Sequence, residues 1–270
     1  MRVFKIVFFA VFLIFGIWEY REWSAKKFSL QNIQQEVPLV ASENIDENLP
    51  SELLQMLDQP FIYLDQGHQS YVFQSQDQQY VLKFFKAKPG DSEWAKKKNI
   101  RNFIGFRLAY EKDRENCGLV YIHLRPTEGL IKRVILEGID LDKVVFAVQR
   151  KGESTGAVLE RLLNSGDVAT VKKRLRDMFD MYLSTYQKGL YDRDHNLMDN
   201  TGFIGEKPVR LDVGKLRQDD RFKDLEFARK DLEKVFVKRV DKWLKVHFPK
   251  YLEEIHWDMQ QKINEIFNMS

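Results

Sequence analysis

Four oxygen-bearing side chains of metal-ligand type, Asp192, Asp194, Asp199 and Asn200, crowd into the segment Gly189-Leu-Tyr-Asp-Arg-Asp-His-Asn-Leu-Met-Asp-Asn200. A fifth, Asp212, follows in Pro208-Val-Arg-Leu-Asp-Val-Gly214, beside a glycine. Carboxylate and amide oxygens are hard donors. They suit Mg²⁺ shared with phosphate groups better than they suit zinc or copper. The segment between them, Thr201-Gly-Phe-Ile204 followed by 205–207, reads as one arm and the turn of a β-hairpin that would carry Asp212 back toward Asn200. A calcium loop beginning at Asp192 is the competing reading. It needs glycine at its sixth position and glutamate at its twelfth, where this chain has Leu197 and Phe203.

Lys83 is the second chemical candidate. It lies in Tyr80-Val-Leu-Lys-Phe-Phe85, a run rich in strand formers. Alternation puts Val81, Lys83 and Phe85 on one face, so a buried face there would enclose an ammonium among apolar neighbours. The preceding stretch, Asp65-Gln-Gly-His-Gln-Ser70, is a turn whose backbone N–H groups could cradle phosphate, with Gly67 as its glycine and Ser70 as the nearby hydroxyl.

The elements that must position these residues fall into two halves. Strands are expected at 61–64, 70–74 and 80–85 as an antiparallel meander, and further strands at 119–124, 132–136 and 144–150. A helix is expected from 94 to about 115, with Ile100, Phe103, Ile104, Leu108 and Tyr110 at near-helical spacing. From Gly152 the pattern turns helical. Val168, Val171, Leu175, Met178, Phe179, Tyr182, Leu183 and Tyr186 form an apolar stripe that stops at Gly189, a residue suited to a helix C-terminus. Helices with apolar anchors from Phe222 to Trp243 follow, and a last one over 251–267. A β-rich first half and an α-rich second half define an α+β chain.

Bulk composition narrows the functional classes. The chain has 270 residues, 44% hydrophobic and 31% charged, which is ordinary for a globular protein, and a net charge of +3. The basic runs at 96–98 and 172–174 read as solvated helix faces, so no nucleic-acid partner is expected. The single cysteine, Cys117, excludes an internal disulfide and a cysteine zinc site. No G-x-S-x-G, Walker A or H-E-x-x-H pattern is present. At the N-terminus, Arg2 and Lys5 precede an uncharged run of 13 residues, Ile6 to Trp18, with Trp18, Tyr20 and Trp23 as interfacial aromatics. Residues 1–24 therefore read as an uncleaved membrane anchor, with a cleaved secretory signal as the alternative, and 25–57 as a polar tether with a short helix capped by Ser51.

The order of lysine strand, helix, acidic loop, hairpin and Asp212-Val-Gly214 resembles the protein-kinase-like superfamily over roughly residues 60–215. That resemblance implies a two-lobed fold: an antiparallel β-sheet N-lobe with one main helix over 58–151, and a short, mostly helical C-lobe over 152–270. It implies ATP and Mg²⁺ as cofactors, with a hydroxyl of a small molecule or protein as acceptor. By the kinase pattern Lys83 would hold phosphates, Glu111 on the helix would position Lys83, and the backbone near 148–150 would meet adenine. Asp194 would orient the acceptor hydroxyl, and Asn200 and Asp212 would hold metal. Asp194 precedes Asn200 by six residues where the pattern has five, so Asp199 is the alternative ligand. No A-P-E follows Asp212, which points away from a peptide-docking segment. The expected activity is Mg²⁺-dependent phosphoryl transfer from ATP. A catalytically inactive pseudokinase acting as a membrane-tethered binding module is the alternative, and a membrane-anchored scaffold with charged C-terminal helices is a third reading. An active enzyme implies that the anchored globular part faces the cytosol.

Overall fold

A computed structural model describes residues 33, 52–67, 69–86, 93–129, 131, 134–135 and 139–267. After a short helix α1 (Leu53–Leu57), three strands β1 (Phe61–Gln66), β2 (Ser70–Ser75) and β3 (Tyr80–Phe85) pair antiparallel, with Val72 opposite Lys83. Their aromatic and β-branched residues suit a pleated, half-buried surface. Helix α2 (Glu93–Lys112) follows, then β4 (Leu119–His123), a small pair β5 (Val134–Ile135) and β6 (Ile139–Asp140), and β7 (Phe146–Arg150). The main sheet has the order β1-β2-β3-β7-β4, antiparallel throughout.

Both faces of this sheet are covered, which is why β3 is buried at every position after Tyr80. One face buries Phe73, Leu82, Phe84, Tyr121 and Phe146 against Leu53 and Leu57 of α1. The other buries Phe85, Ile122 and Ala147 against Phe103, Phe106 and Ala109 of α2, with Val213 and Leu216 from the second half of the chain. Lys83 belongs to this second face. Edge-to-face contacts of Phe85 with Phe103 and Phe106, at 5.0 and 4.7 Å between centroids, fix the helix on the sheet.

The second half is mainly helical. After β8 (Glu153–Ser154), the Ser154 hydroxyl caps α3 (Thr155–Asn164) and the Asp167 carboxylate caps α4 (Val168–Gln187). Gly189, at φ +68°, ends α4 in the left-handed region. Then come β9 (Leu190–Asp192), a one-turn helix α5 (Leu197–Asn200), and the hairpin of β10 (Thr201–Ile204) and β11 (Lys207–Arg210). β12 (Leu216–Gln218) pairs with β9. Helices α6 (Leu225–Asp231), α7 (Lys238–His247) and α8 (Leu252–Phe267) close the chain, with a wide helical turn, Leu232–Val237, between α6 and α7. The apolar stripe of α4 packs on Leu232, Phe236, Val240, Leu244, Ile255 and Ile263. The architecture is α+β with an antiparallel sheet and several helices.

Several expectations fall outside the described residues: the apolar run at 6–18, the cap at Ser51, and part of the strand at 132–136. Among the described residues no helix is long and apolar enough to cross a membrane. Ile33, within the expected tether, is buried and makes a β-bridge with Lys86.

Candidate functional site

Lys83 is 8% exposed, beneath α2. Its ammonium donates to the Leu211 carbonyl at 2.5 Å and lies 6.0 Å from the centre of the Phe106 ring. Burial pushes this ammonium below the usual lysine range, while the neighbouring Asp212 carboxylate holds it up. A contact across 128 residues of sequence thus brings β3 against the start of Asp212-Val-Gly214.

The hairpin supplies the rest. Its two-residue turn pairs Ile204 with Lys207 and carries Thr201 opposite Arg210, so the residues just beyond each arm meet. The Asn200 carbonyl accepts from Leu211 N at 2.8 Å and Asp212 N at 3.2 Å. Asp212 Oδ1 accepts from Gly214 N at 2.9 Å, closing the turn that points the carboxylate. The Asp194 carboxylate accepts from Asn196 N at 3.3 Å and from Lys215 Nζ at 2.5 Å, and the nearby Asn200 amide helps to lower its pKa. Burial raises the Asp194 carboxyl, but the Lys215 bond and charge more than offset this, so it lies below the ordinary range and is ionised at neutral pH. Asp192, buried just before it, accepts from Asp194 N at 2.8 Å. Burial pushes Asp192 up to about 6; Arg210 pulls it down, and Asp212 and Asp194 push it further up.

Lys83, Asp194, Asn200 and Asp212 therefore come to one place, whereas other expected residues do not. Glu111 is exposed and pairs with Arg107 one turn back at 3.4 Å. The helix turns Phe103, Phe106 and Ala109 toward the sheet, and position 111 lies off that stripe. The expected Lys83–Glu111 pair is thus corrected: Lys83 bonds the Leu211 carbonyl and feels the charge of Asp212. Glu115, one turn further, pairs with Lys188 instead. Asp199 is exposed and accepts from Asn196 Nδ2 at 2.8 Å, on the solvent side of the one-turn helix that turns Asn200 inward. In the backbone expected at adenine, β7 is paired on both sides, and the amides of Arg150 and Lys151 donate to Gly118 O and Gln79 O.

The β1–β2 turn is closed by Gly67 N donating to Ser70 O at 2.9 Å, and Lys86 Nζ pins it through Gln66 Oε1 and Gly67 O. Gly67 is exposed, with open space where a Cβ would stand, while Ser70 is half-buried opposite Phe85. The residue this turn delivers to the site is Gln69. A Cβ on Gly214 would lie 1.9 Å from Gln69 Oε1, an oxygen that is buried with no hydrogen-bond partner. Nothing in the sequence singles Gln69 out from the neighbouring glycine and serine.

Asp212 and Asn200 offer the one or two oxygen ligands that Mg²⁺ takes from protein when phosphates and water complete its shell. Among the described residues no three of His, Cys, Asp and Glu gather into a cage of their own. The donor set fits an ion brought in with a nucleotide. Cys117, pushed up to about 12 by burial, is an inert thiol.

No family model matches the chain, and no curated protein matches it. Among solved structures the chain is similar to WbdD, a bifunctional kinase-methyltransferase. A WbdD chain bound to a kinase inhibitor aligns with a TM-score of 0.41 and 13% identity, over 66% of this chain and 37% of that one. A second WbdD structure gives 0.41 and 13%, over 64% and 36%. This chain spans little more than a third of the WbdD chains, and a likeness this loose does not define an activity.

Proposed function

We propose that the chain catalyses Mg²⁺-dependent phosphoryl transfer from ATP to a hydroxyl acceptor, as an atypical kinase of two lobes meeting between residues 151 and 152. The observation that carries this reading is the buried Lys83 ammonium at the Leu211 carbonyl, beside Asp212. A buried cation next to a carboxylate, with an amide and a second carboxylate close by, is costly to keep unless it neutralises phosphate. Lys83 would hold the phosphates, and Asn200 and Asp212 would hold Mg²⁺. The ion supplies neutralisation of phosphate charge when bound. Asp194, ionised, orients and accepts the proton of the acceptor hydroxyl once Lys215 swings aside, which its half-exposed side chain permits. Catalysis in such a site is positioning plus charge neutralisation. Gly67 and Ser70 border the phosphate side of the turn. The 1–24 segment would anchor the protein to a membrane with this part toward the cytosol, where ATP is plentiful.

A pseudokinase is the second reading, favoured by Gln69 seated on Gly214 and by Glu111 pairing with Arg107 rather than Lys83. One experiment separates the two. Thermal melts of the full chain with ATP, with and without Mg²⁺, are run for wild type and Asp212→Ala. A nucleotide at about 100 times its Kd adds about 2.7 kcal/mol. A Mg²⁺-dependent rise lost in the variant, with ATP turnover in the wild type, supports the kinase. A rise without turnover supports a nucleotide-binding pseudokinase, and no rise in wild type refutes the kinase and leaves a pseudokinase that binds a protein partner.

A further inference from the structure

Arg210 is 1% exposed, and its Nε and both terminal nitrogens are buried without any hydrogen-bond partner. Its guanidinium lies over the Tyr182 ring, 4.3 Å from the centroid, and NH1 stands 3.8 Å from Asp192 Oδ2. Five donors buried without acceptors are a standing cost that an apolar residue of similar size would remove. A group kept on those terms calls for a task.

The task is visible in Asp192. Its two oxygens are divided: Oδ1 accepts from Asp194 N at 2.8 Å, while Oδ2 faces Arg210. Of the charged groups facing Asp192, namely Arg210, Asp194 and Asp212, Arg210 alone is positive. Burial and both carboxylates work against a charged Asp192, and a neutral carboxyl is a weaker acceptor for the Asp194 amide. The Arg210 backbone is itself fixed, because its carbonyl accepts from Gln149 Nε2 at 3.0 Å and it pairs with Thr201 across the hairpin. The side chain is therefore held inward, under the acidic loop.

We propose that Arg210 is a positioning residue: its buried guanidinium anchors Asp192, and Asp192 in turn sets the backbone at Asp194, the group that meets the acceptor hydroxyl. The role of Asp194 rests on the function proposed above; the Arg210–Asp192–Asp194 linkage does not. Arg210 is the last residue of β11, two positions before Asp212.

Amide hydrogen exchange of the full chain without nucleotide tests this. Arg210→Met and Asp192→Asn should each speed exchange at the Asp194 amide at least tenfold. The amides of Leu211 and Ala228, bonded elsewhere, should hold their wild-type protection. The double variant should lose no more than the worse single one, and Arg210→Lys should restore part of the protection. Where phosphoryl transfer is measurable, Arg210→Lys should lower kcat more than tenfold at nearly unchanged KM for ATP. Should Arg210→Met not fold, Asp192→Asn and Arg210→Lys carry the test alone. Unchanged protection at Asp194, or equal loss at all these amides, overturns the proposal. Because exchange is read without ATP, a failure of the kinase reading in Asp212→Ala leaves this result intact and separately interpretable.

Discussion

Gly105 sits in the interior of α2, where glycine costs about 1 kcal/mol relative to alanine. A Cβ at that position would lie 2.3 Å from Val213 O, 2.6 Å from Gly214 O and 2.7 Å from Gly214 C. Carbon and carbonyl oxygen rest at about 3.3 Å or more, so Gly105→Ala forces a separation of roughly 1 Å. The clashing atoms are backbone, and no rotamer change relieves them. Overpacking of this kind costs about 1–3 kcal/mol, and a rigid contact with two carbonyls belongs at the upper end. Subtracting about 1 kcal/mol of regained helix propensity leaves a loss of about 2 kcal/mol, or about 4–8 °C in Tm for a chain of this size. The control is Gly156→Ala in α3, whose Cβ would meet Met198 atoms at an ordinary 3.6 Å. It should be neutral or stabilising by up to about 1 kcal/mol. Thermal melts of both variants decide the matter, and the Mg²⁺-ATP rise should shrink in Gly105→Ala as the Asp212 segment is pushed aside. If Gly105→Ala melts with or above Gly156→Ala, the close approach of α2 to Asp212-Val-Gly214 is wrong.

The same contacts yield further expectations. Lys83→Met removes an ammonium that burial disfavours but also the donor to the Leu211 carbonyl, so its stability at neutral pH should stay close to wild type while the Mg²⁺-ATP rise is lost. With a folded-state pKa below 10.5, wild type binds fewer protons than its unfolded chain between those two values. Its stability should therefore climb with pH in that window, and urea titrations should show the climb absent in Lys83→Met. Asp113 is fully buried and accepts from Asn116 Nδ2 at 2.8 Å, Thr185 Oγ1 at 2.8 Å and Lys188 Nζ at 2.7 Å, tying the end of α2 to α4. Asp113→Ala should cost about 3 kcal/mol, the low end for a broken buried pair because Lys188 can rehydrate. Urea unfolding should show this as a lower midpoint at constant m-value.

The elements were largely legible in the sequence, and the reasons are local. The strands at 61–66, 70–75 and 80–85 carry period-2 or aromatic runs bounded by polar turns, and the α4 stripe has unbroken helical phase ended by glycine. The candidate residues Lys83, Asp194, Asn200 and Asp212 announce themselves by type and order, and the hairpin register brings them together. Phase is what the sequence conceals. Glu111 and the inward stripe of α2 differ by a rotation that near-helical spacing cannot resolve, and Asp199 and Asn200 part ways because a one-turn helix separates adjacent side chains. Arg210 is a different failure. Charged residues are expected on the surface, and nothing in Val209-Arg-Leu211 signals a guanidinium enclosed by Tyr182 and Asp192.

The correction at Glu111 changes how α2 is coupled to the site. A lysine–carboxylate pair would make the helix an electrostatic partner of Lys83; here the helix turns the Phe106 ring toward that lysine. Its grip is on backbone instead, through Gly105 against the carbonyls of Val213 and Gly214. On the opposite approach Gly214 meets the Gln69 amide, brought there by a turn that Lys86 pins through Gln66 and Gly67. Gly214 thus stands between a helix and a turn: its carbonyl leaves no room for a Cβ on Gly105, the flexible end of Gln69 covers its other side, and its amide is the donor that points Asp212 Oδ1. Moving either neighbour moves the peptide that orients Asp212. Steric contact can do the work usually given to an ion pair, and it demands glycine at 105, where the opposing atoms are backbone.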